Sequence, residues 1–251
     1  EDGEPIYEGQ WKMGMREGIG HYYYPGGDQY EGEWKENLYS GHGKYQWKDK
    51  SIFEGEWYRG EFNRGVYYAT SGDKRYEGEW KDWEPNGKGT YFYENGQFYH
   101  GDWKVHKRHG FGILFSESET KIYEGNWQDD NKHGQGTFYY PQGETYKGQW
   151  VKNRREGKGS MYYYTEDLEY EGDWKKDEKH GKGTYNYKNG EVYKGDWKRN
   201  KRTGKGTLWN EKKIKIYEGS WVDGKYHGEG KIFDIEGNLT YEGGFNKNIK
   251  E

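Results

Sequence analysis

His109, His133, His180 and His227 each follow a tryptophan by six residues, a recurrence that could build a column of imidazole ligands for a metal. Gly-x-Gly pairs recur as well, seven and nine positions after a tryptophan, as at Gly18 and Gly20, Gly87 and Gly89, and Gly228 and Gly230, and such pairs can cradle a phosphate. Neither chemistry fits its surroundings. Equivalent histidines in successive hairpins would stand roughly 9.6 Å apart, whereas zinc needs its ligands at about 2 Å, so they read as turn residues. No helical pattern follows the glycine pairs, and no Lys-Ser or Lys-Thr completes a phosphate loop. Ser and His share no recurring nucleophile spacing, and the carboxylates are spread evenly along the chain. The expectation is a protein without catalytic residues, cofactor or metal.

The elements that carry these residues are set by an internal repeat. YEGQW begins at Tyr7, YEGEW at Tyr30, FEGEW at Phe53 and YEGEW at Tyr76; the series continues from Tyr99, Tyr123, Tyr146, Tyr170, Tyr193 and Tyr217 to a final YEGGF at Tyr241. The period is 23 or 24 residues, and a repeat at such a period is the signature of a stacked array. One unit departs: after Trp57 the glycine offsets fall on Arg64 and Val66, with Gly65 between them. Trp83, Pro85 and the stretch from Phe62 to Gly72 also break the pattern, and such breaks are where a specific contact or bend would sit.

Composition agrees. The 251 residues hold 42 Gly, 13 Trp, 28 Tyr and 9 Phe, so aromatics make up 20% out of a hydrophobic total of 29%. A core of Leu, Ile and Val cannot be built from what is left, and disorder is disfavoured because disordered chains are poor in aromatics. Buried area must come from rings. No run approaches 18 apolar residues and no secretory leader opens the chain, so a soluble, cytoplasmic protein is expected; a start at Glu1 fits a fragment of a longer one. The absence of Cys removes disulfides and thiolate chemistry, and a net charge of −4 offers no global field for nucleic acid.

These motifs resemble the MORN-repeat family, whose unit reads YEGxW followed by a Gly-x-Gly and an aromatic, over Tyr7 to Phe245, with the third and the truncated last unit atypical. The resemblance implies one β-hairpin per repeat, stacked into a long twisted sheet, and a mostly non-enzymatic scaffolding role, with membrane attachment proposed for some members.

The residues lead to the same fold class: an all-β, elongated, single-layer antiparallel sheet of stacked hairpins, one array over residues 1–251. Alternation puts Tyr76, Gly78 and Trp80 on one face and Glu77 and Glu79 on the other. Pairing Trp80 with Gly87 across a six-residue connection would set Gly78 beside Gly89 and Tyr76 beside Tyr91, with each glycine a seat for a flat ring. On the opposite face it would put Glu79 beside Lys88, Asp173 beside Lys182 and Asp196 beside Lys205. Glu94-Asn95-Gly96 predicts a three-residue loop, which keeps the rings on one side. The 24-residue units must absorb an extra residue near Ser116 to Lys121, Tyr164 to Glu169, Glu211 to Lys215 and Asp234 to Asn238. Ten hairpins and a last strand would extend on the order of 100 Å.

Two surfaces then stand out. The connections after the tryptophans sum to +9 within a chain of net −4, which predicts a basic edge densest at Lys104, Lys107, Arg108, Lys152, Arg154, Arg155, Lys198, Arg199, Lys201 and Arg202, suited to an acidic protein tail or anionic headgroups. Tyr23, Phe92, Phe115, Tyr139, Tyr162, Trp209 and Phe233 share one repeat position, twelve after the tryptophan, on the face opposite the indoles and are candidate partner contacts. The function expected is a scaffold that presents aromatic and charged ladders to protein partners, including a second copy of itself or a larger assembly. By the resemblance it is cytoskeletal, for example in the heads of ciliary radial spokes. The alternative is a peripheral adaptor on anionic membrane. Nucleic acid is not an expected partner.

Overall fold

A computed structural model describes residues 6–251. Every element in them is a β-strand, and within each unit strands adjacent in sequence pair antiparallel. Two compact units are present. One runs to Asp130 and holds the strands from Ile6–Lys12 to Lys121–Gln128; the other begins at Asn131 and holds those from Asn131–Tyr139 to Ile249–Lys250. Neither closes on itself: among the described pairings Ile6–Lys12 meets only Met15–Tyr23, and Ile249–Lys250 meets only Leu239–Asn246. This is the all-β array of stacked hairpins that the repeat predicts.

The ring columns form as alternation requires. Tyr76 pairs with Tyr91 and Gly78 with Gly89, and each tyrosine lies flat on the glycines of its own hairpin, its hydroxyl donating to the carbonyl three residues on, as from Tyr76 to Glu79 at 3.1 Å and from Tyr170 to Asp173 at 2.9 Å. Each tryptophan then lies on the hairpin before it. The Trp34, Trp103, Trp174 and Trp197 indoles donate to the carbonyls of Gly20, Gly89, Gly159 and Gly183 at 3.0–3.2 Å. An indole N–H buried among rings needs an acceptor, and the bare glycine backbone supplies one within reach. Tyr and Trp of one repeat meet edge to face, 5.2 Å apart in Tyr170–Trp174. Trp11 has no earlier hairpin among the described residues to lie on and is 59% exposed.

The connection after each tryptophan differs from the six-residue loop expected. Trp80 pairs with Pro85 and Lys81 with Glu84, leaving only Asp82 and Trp83 in the turn, at φ 51° and 63°. Lys152-Asn153, Lys176-Asp177 and Arg199-Asn200 repeat the pattern. Two left-handed residues in succession make the type I′ turn, whose twist matches that of the strands. Gly87 therefore pairs forward with Trp103 of the next repeat, not back with Trp80. Between the Gly78–Gly89 and Trp80–Pro85 pairs, one residue on the first strand faces three on the second, a bulge in which Gly87 takes φ 95°.

That bulge redirects the ion pairs. Where a carboxylate precedes the tryptophan it caps the bulge: Asp173 and Asp196 accept the Lys182 and Lys205 amides at 2.8 Å. Their second oxygens take lysines of the preceding repeat, Lys158–Asp173 and Lys182–Asp196 at 2.6 Å. The acids were expected to pair within a hairpin; they join neighbouring hairpins instead. Burial acts to raise the Asp173 carboxyl, but the Lys158 hydrogen bond and the Lys182 amide outweigh it and hold that group below its usual range.

The second connection is the three-residue loop expected. Tyr93 N–H donates to Gln97, Gly96 N–H donates to Tyr93, Gly96 sits at φ 79° and Phe92 faces Phe98. The 24-residue units absorb their extra residue in a bulge just after this loop, at Ile122, Glu169, Ile216 and Thr240, inside or within two residues of the stretches predicted. The third unit has the same bulge at Arg75 but one residue fewer between Trp57 and Gly65, where only Asn63 is extra between the Trp57–Phe62 and Glu56–Arg64 pairs. Deletion and insertion cancel, which is why its length is 23 although its glycine spacing fails.

Candidate functional site

The ring side is largely closed by the chain itself. Five residues after most of the repeat tryptophans stands a side chain that covers the tryptophan of the next repeat. The guanidinium carbons of Arg108, Arg155 and Arg202 lie 4.2 Å from the ring centroids of Trp127, Trp174 and Trp221, and the Lys132 ammonium lies 4.4 Å from Trp150. Arg108 and Arg155 also donate to Asp130 and Asp177, and Arg202 donates to the Gly224 carbonyl. Three of the ten cations predicted for a basic edge are thus turned onto the rings. Lys104, Lys107, Lys152, Arg154, Lys198, Arg199 and Lys201 remain exposed at the turns, Lys201 with Asp223 at 3.4 Å. The cation five after the tryptophan recurs in the sequence at Arg16, Arg108, Lys132, Arg155, Lys179 and Arg202, and that recurrence was a readable sign of its structural role. Replacing Arg155 by Ala is expected to cost about 1–2 kcal/mol through lost stacking and hydrogen bonds, and replacing its exposed neighbour Arg154 at most about 0.5 kcal/mol. Urea titration of the two variants checks the difference.

The opposite face is the open one. Tyr23, Phe92, Phe115, Tyr139, Tyr162, Trp209 and Phe233 lie along it at the second-turn end of their strands; Tyr23 is exposed and the other six are half-buried. In the first unit Phe98 joins the row, stacked on Phe115 at 4.6 Å and 6.2 Å from Phe92, and Tyr23 stacks on His21. Lysines lie over the rings in both units: Lys74 is 4.8 Å from Phe92, Lys147 is 5.0 Å from Tyr162 and Lys215 is 5.1 Å from Phe233.

On this face the second unit carries a groove of about 1180 Å³, reaching from Gln135 to Glu242. Its floor is bare backbone, because paired glycines such as Gly159–Gly172 and Gly183–Gly195 line up from ladder to ladder. One wall alternates Lys147, Ser160, Glu171, Thr184, Lys194, Thr207 and Glu218; the other carries Lys158, Lys182 and Lys205. In the first unit the same rows are acidic, with Glu31, Glu33, Glu54, Glu56, Glu77 and Glu79. None of these groups converges on a point. Among the described residues no three His, Asp or Glu side chains come together as a metal site.

Burial pushes the phenols of Tyr30, Tyr76, Tyr99, Tyr146, Tyr170 and Tyr193 far above their usual range, and that of Tyr217 to about 12. A raised folded value means that the native state holds its phenolic protons more tightly than the unfolded chain does. The stability they contribute is complete below about pH 10 and is lost as the pH climbs through the folded values. Absorbance at 295 nm should show the column tyrosines ionising together with the loss of strand circular dichroism above pH 10, rather than ahead of it.

Comparison with known proteins gives one family. The model described as MORN repeat matches ten successive units: residues 7–29, 30–52, 53–74, 76–98, 99–119, 123–145, 146–167, 170–192, 193–211 and 217–235. The chain belongs to the MORN repeat family. The incomplete unit at Tyr241 lies beyond the matched residues, yet Phe245 stands in the tryptophan's place, paired with Gly228 and 1% exposed. No curated protein matches the chain. Among solved structures the chain is similar to the TCP10c domain of Drosophila melanogaster Sas-4, at 12% identity over 81% of this chain and 93% of that one, with a TM-score of 0.22; a likeness at that score carries no argument.

Proposed function

We propose that this protein is a non-catalytic scaffold that seats an elongated segment of a partner protein on its glycine-floored face. The groove of the second unit carries this reading. It crosses ten strands, roughly 45 Å at the spacing of a sheet, too long for a small molecule and without the few converging polar groups of a catalytic pocket. Its floor lets a chain approach the backbone closely, and its walls alternate lysine, hydroxyl and glutamate. That favours a polypeptide of mixed charge over a uniformly anionic surface. A cytoplasmic assembly of cytoskeletal or ciliary kind is the setting we propose for it.

Affinity purification of the full chain with crosslinking mass spectrometry tests this. Partner crosslinks should concentrate at Lys158, Lys182, Lys194 and Lys205, and a Thr184→Tyr, Thr207→Tyr double variant that fills the groove should lose them while keeping its melting temperature. Retention of the crosslinks by that variant removes the groove from the reading. Flotation with phosphatidylserine vesicles at low salt, reversed at high salt, would replace it with the membrane adaptor that the exposed turn cations could support.

A further inference from the structure

Three consecutive hairpins of the second unit offer its groove the same pair of donors. Lys158 and Ser160, Lys182 and Thr184, and Lys205 and Thr207 stand on opposite walls, one pair to a hairpin. The line of glycines between the walls is unbroken: Gly159 pairs with Gly172, Gly172 with Gly183, Gly183 with Gly195 and Gly195 with Gly206. The donor pairs therefore recur at every second strand, roughly 9.6 Å apart.

These donors are held in place and still have capacity. Each ammonium is tied by one bond to the following strand, Lys158 to Asp173 and Lys182 to Asp196 at 2.6 Å, and Lys205 to the Ser220 hydroxyl at 2.9 Å. An ammonium has three N–H groups, so two remain for a ligand. The Ser160, Thr184 and Thr207 hydroxyls are half-buried and bond nothing among the described residues. Thr90, at the same repeat place in the first unit, is instead bonded to His100 at 2.9 Å. The backbone beneath the groove is engaged in the sheet ladders, so a partner strand cannot add to it. What the walls serve is a chain with free acceptors.

One place in the groove is also positive. Lys194 and Lys205 stand on opposite walls beside the paired Gly195 and Gly206, and among the described residues neither meets a carboxylate. Asp196 and Glu218, on the adjoining strands, are already paired with Lys182 and Lys215 at 2.6 Å. A carboxylate from outside complements that place.

The period selects the conformation. A polyproline II helix repeats every three residues, about 9.3 Å, and has no internal hydrogen bonds, so its carbonyls are free, and proline adds no N–H of its own. Laid along the groove it brings an equivalent carbonyl to each hairpin, with a slip of only about 0.3 Å from one to the next. An α-helix returns to the same face after seven residues, about 10.5 Å, and keeps its carbonyls for itself. An extended strand repeats at about 6.8 Å and falls out of step within one hairpin.

We propose that the groove of the second unit takes a proline-rich partner segment in the polyproline II conformation, one turn to each hairpin, with an acidic side chain seated between Lys194 and Lys205. The proposal rests on the reading of that groove as a partner site and adds the partner's conformation and charge.

The test is titration of the isotope-labelled full chain with a blocked dodecaproline carrying one central glutamate. Dodecamers with that glutamate changed to glutamine, or with the prolines replaced by Gly-Ser, are run beside it. The amide signals of Gly183, Thr184, Gly206 and Thr207 should shift and saturate with the glutamate peptide. The glutamine peptide should bind several-fold more weakly, and the Gly-Ser peptide should leave the signals in place. Thr184→Val with Thr207→Val, which keeps the side-chain shape and removes the hydroxyls, should weaken binding several-fold at an unchanged melting temperature. Lys194→Gln with Lys205→Gln should abolish the preference for glutamate over glutamine. The proposal is overturned by equal binding of the Gly-Ser peptide, by no shift at millimolar proline peptide, or by a glutamate preference that survives loss of both lysines. Partner crosslinks at the groove without a response to proline would leave the scaffold reading standing and overturn this one alone. A saturating response to proline in a chain whose partner crosslinks lie elsewhere would support the fit and count against that reading.

Discussion

Replacing Trp127 by alanine is expected to lower the unfolding free energy by about 3–5 kcal/mol, the range for removing a buried indole from a packed site. The ring is 5% exposed, meets Tyr99 and Tyr123 edge to face at 5.4 and 5.0 Å, donates to the Gly112 carbonyl at 3.2 Å and carries Arg108 on its outer face. Alanine would leave that carbonyl without its indole donor and the guanidinium without its platform. In an array held by contacts between neighbours, a loss at one interface is not shared by distant repeats, so hydrogen exchange should quicken first in the strands from Lys107–Phe115 to Lys121–Gln128. A urea midpoint equal to that of the parent chain would contradict ring packing there.

Gly183→Ala is expected to cost about 3 kcal/mol, at the upper end for overpacking, although one methyl group in an extended strand is ordinarily mild. Gly183 has no left-handed backbone, so strain is not the cause. A Cβ there would stand 2.5 Å from Cε2 and Cζ of Tyr170 and closer still to its hydroxyl. Tyr170 is fully buried and hydrogen-bonded to the Asp173 carbonyl, so its ring cannot swing away without leaving its seat. Adding Tyr170→Phe should recover little, since it removes the hydroxyl but leaves ring carbons 2.5 Å from the added methyl group. Gly26→Ala is the control: nothing lies within 4 Å of its Cβ position and its φ is not positive, so its thermal midpoint should match the parent. A comparable loss in both variants would show that the cost at Gly183 does not come from displacing the ring.

Much of this was legible in the residues. Tyr76, Gly78 and Trp80 share a face because strand alternation leaves no other choice, and the parity of the Asn95-Gly96 loop selects three residues over two. The hairpin turn was not legible. Asp82-Trp83 and Lys176-Asp177 carry no Asn-Gly signature, and a six-residue gap filled with charge reads as solvent-exposed loop; two of its residues turn, the one before them ends the first strand and the three after them begin the second. The mistaken register carried the ion pairs with it, because the bulge at Gly87 and its equivalents displaces each carboxylate towards the repeat before.

The basic edge and the groove divide along the same line. Counting charge after each tryptophan finds the cations but not their direction, and Arg108, Arg155 and Arg202 point inward because a guanidinium stacks on an indole with its donors still satisfied. What the sequence by itself determined is the repeat, the strand faces and the seating of each repeat tyrosine on the glycines of its own hairpin, since all three follow from spacing along one chain. The tertiary structure alone decided which cations are spent on neighbouring rings and where backbone is left bare as a groove. Those outcomes depend on contacts between residues about 20 apart in different hairpins, whose distances no single repeat contains.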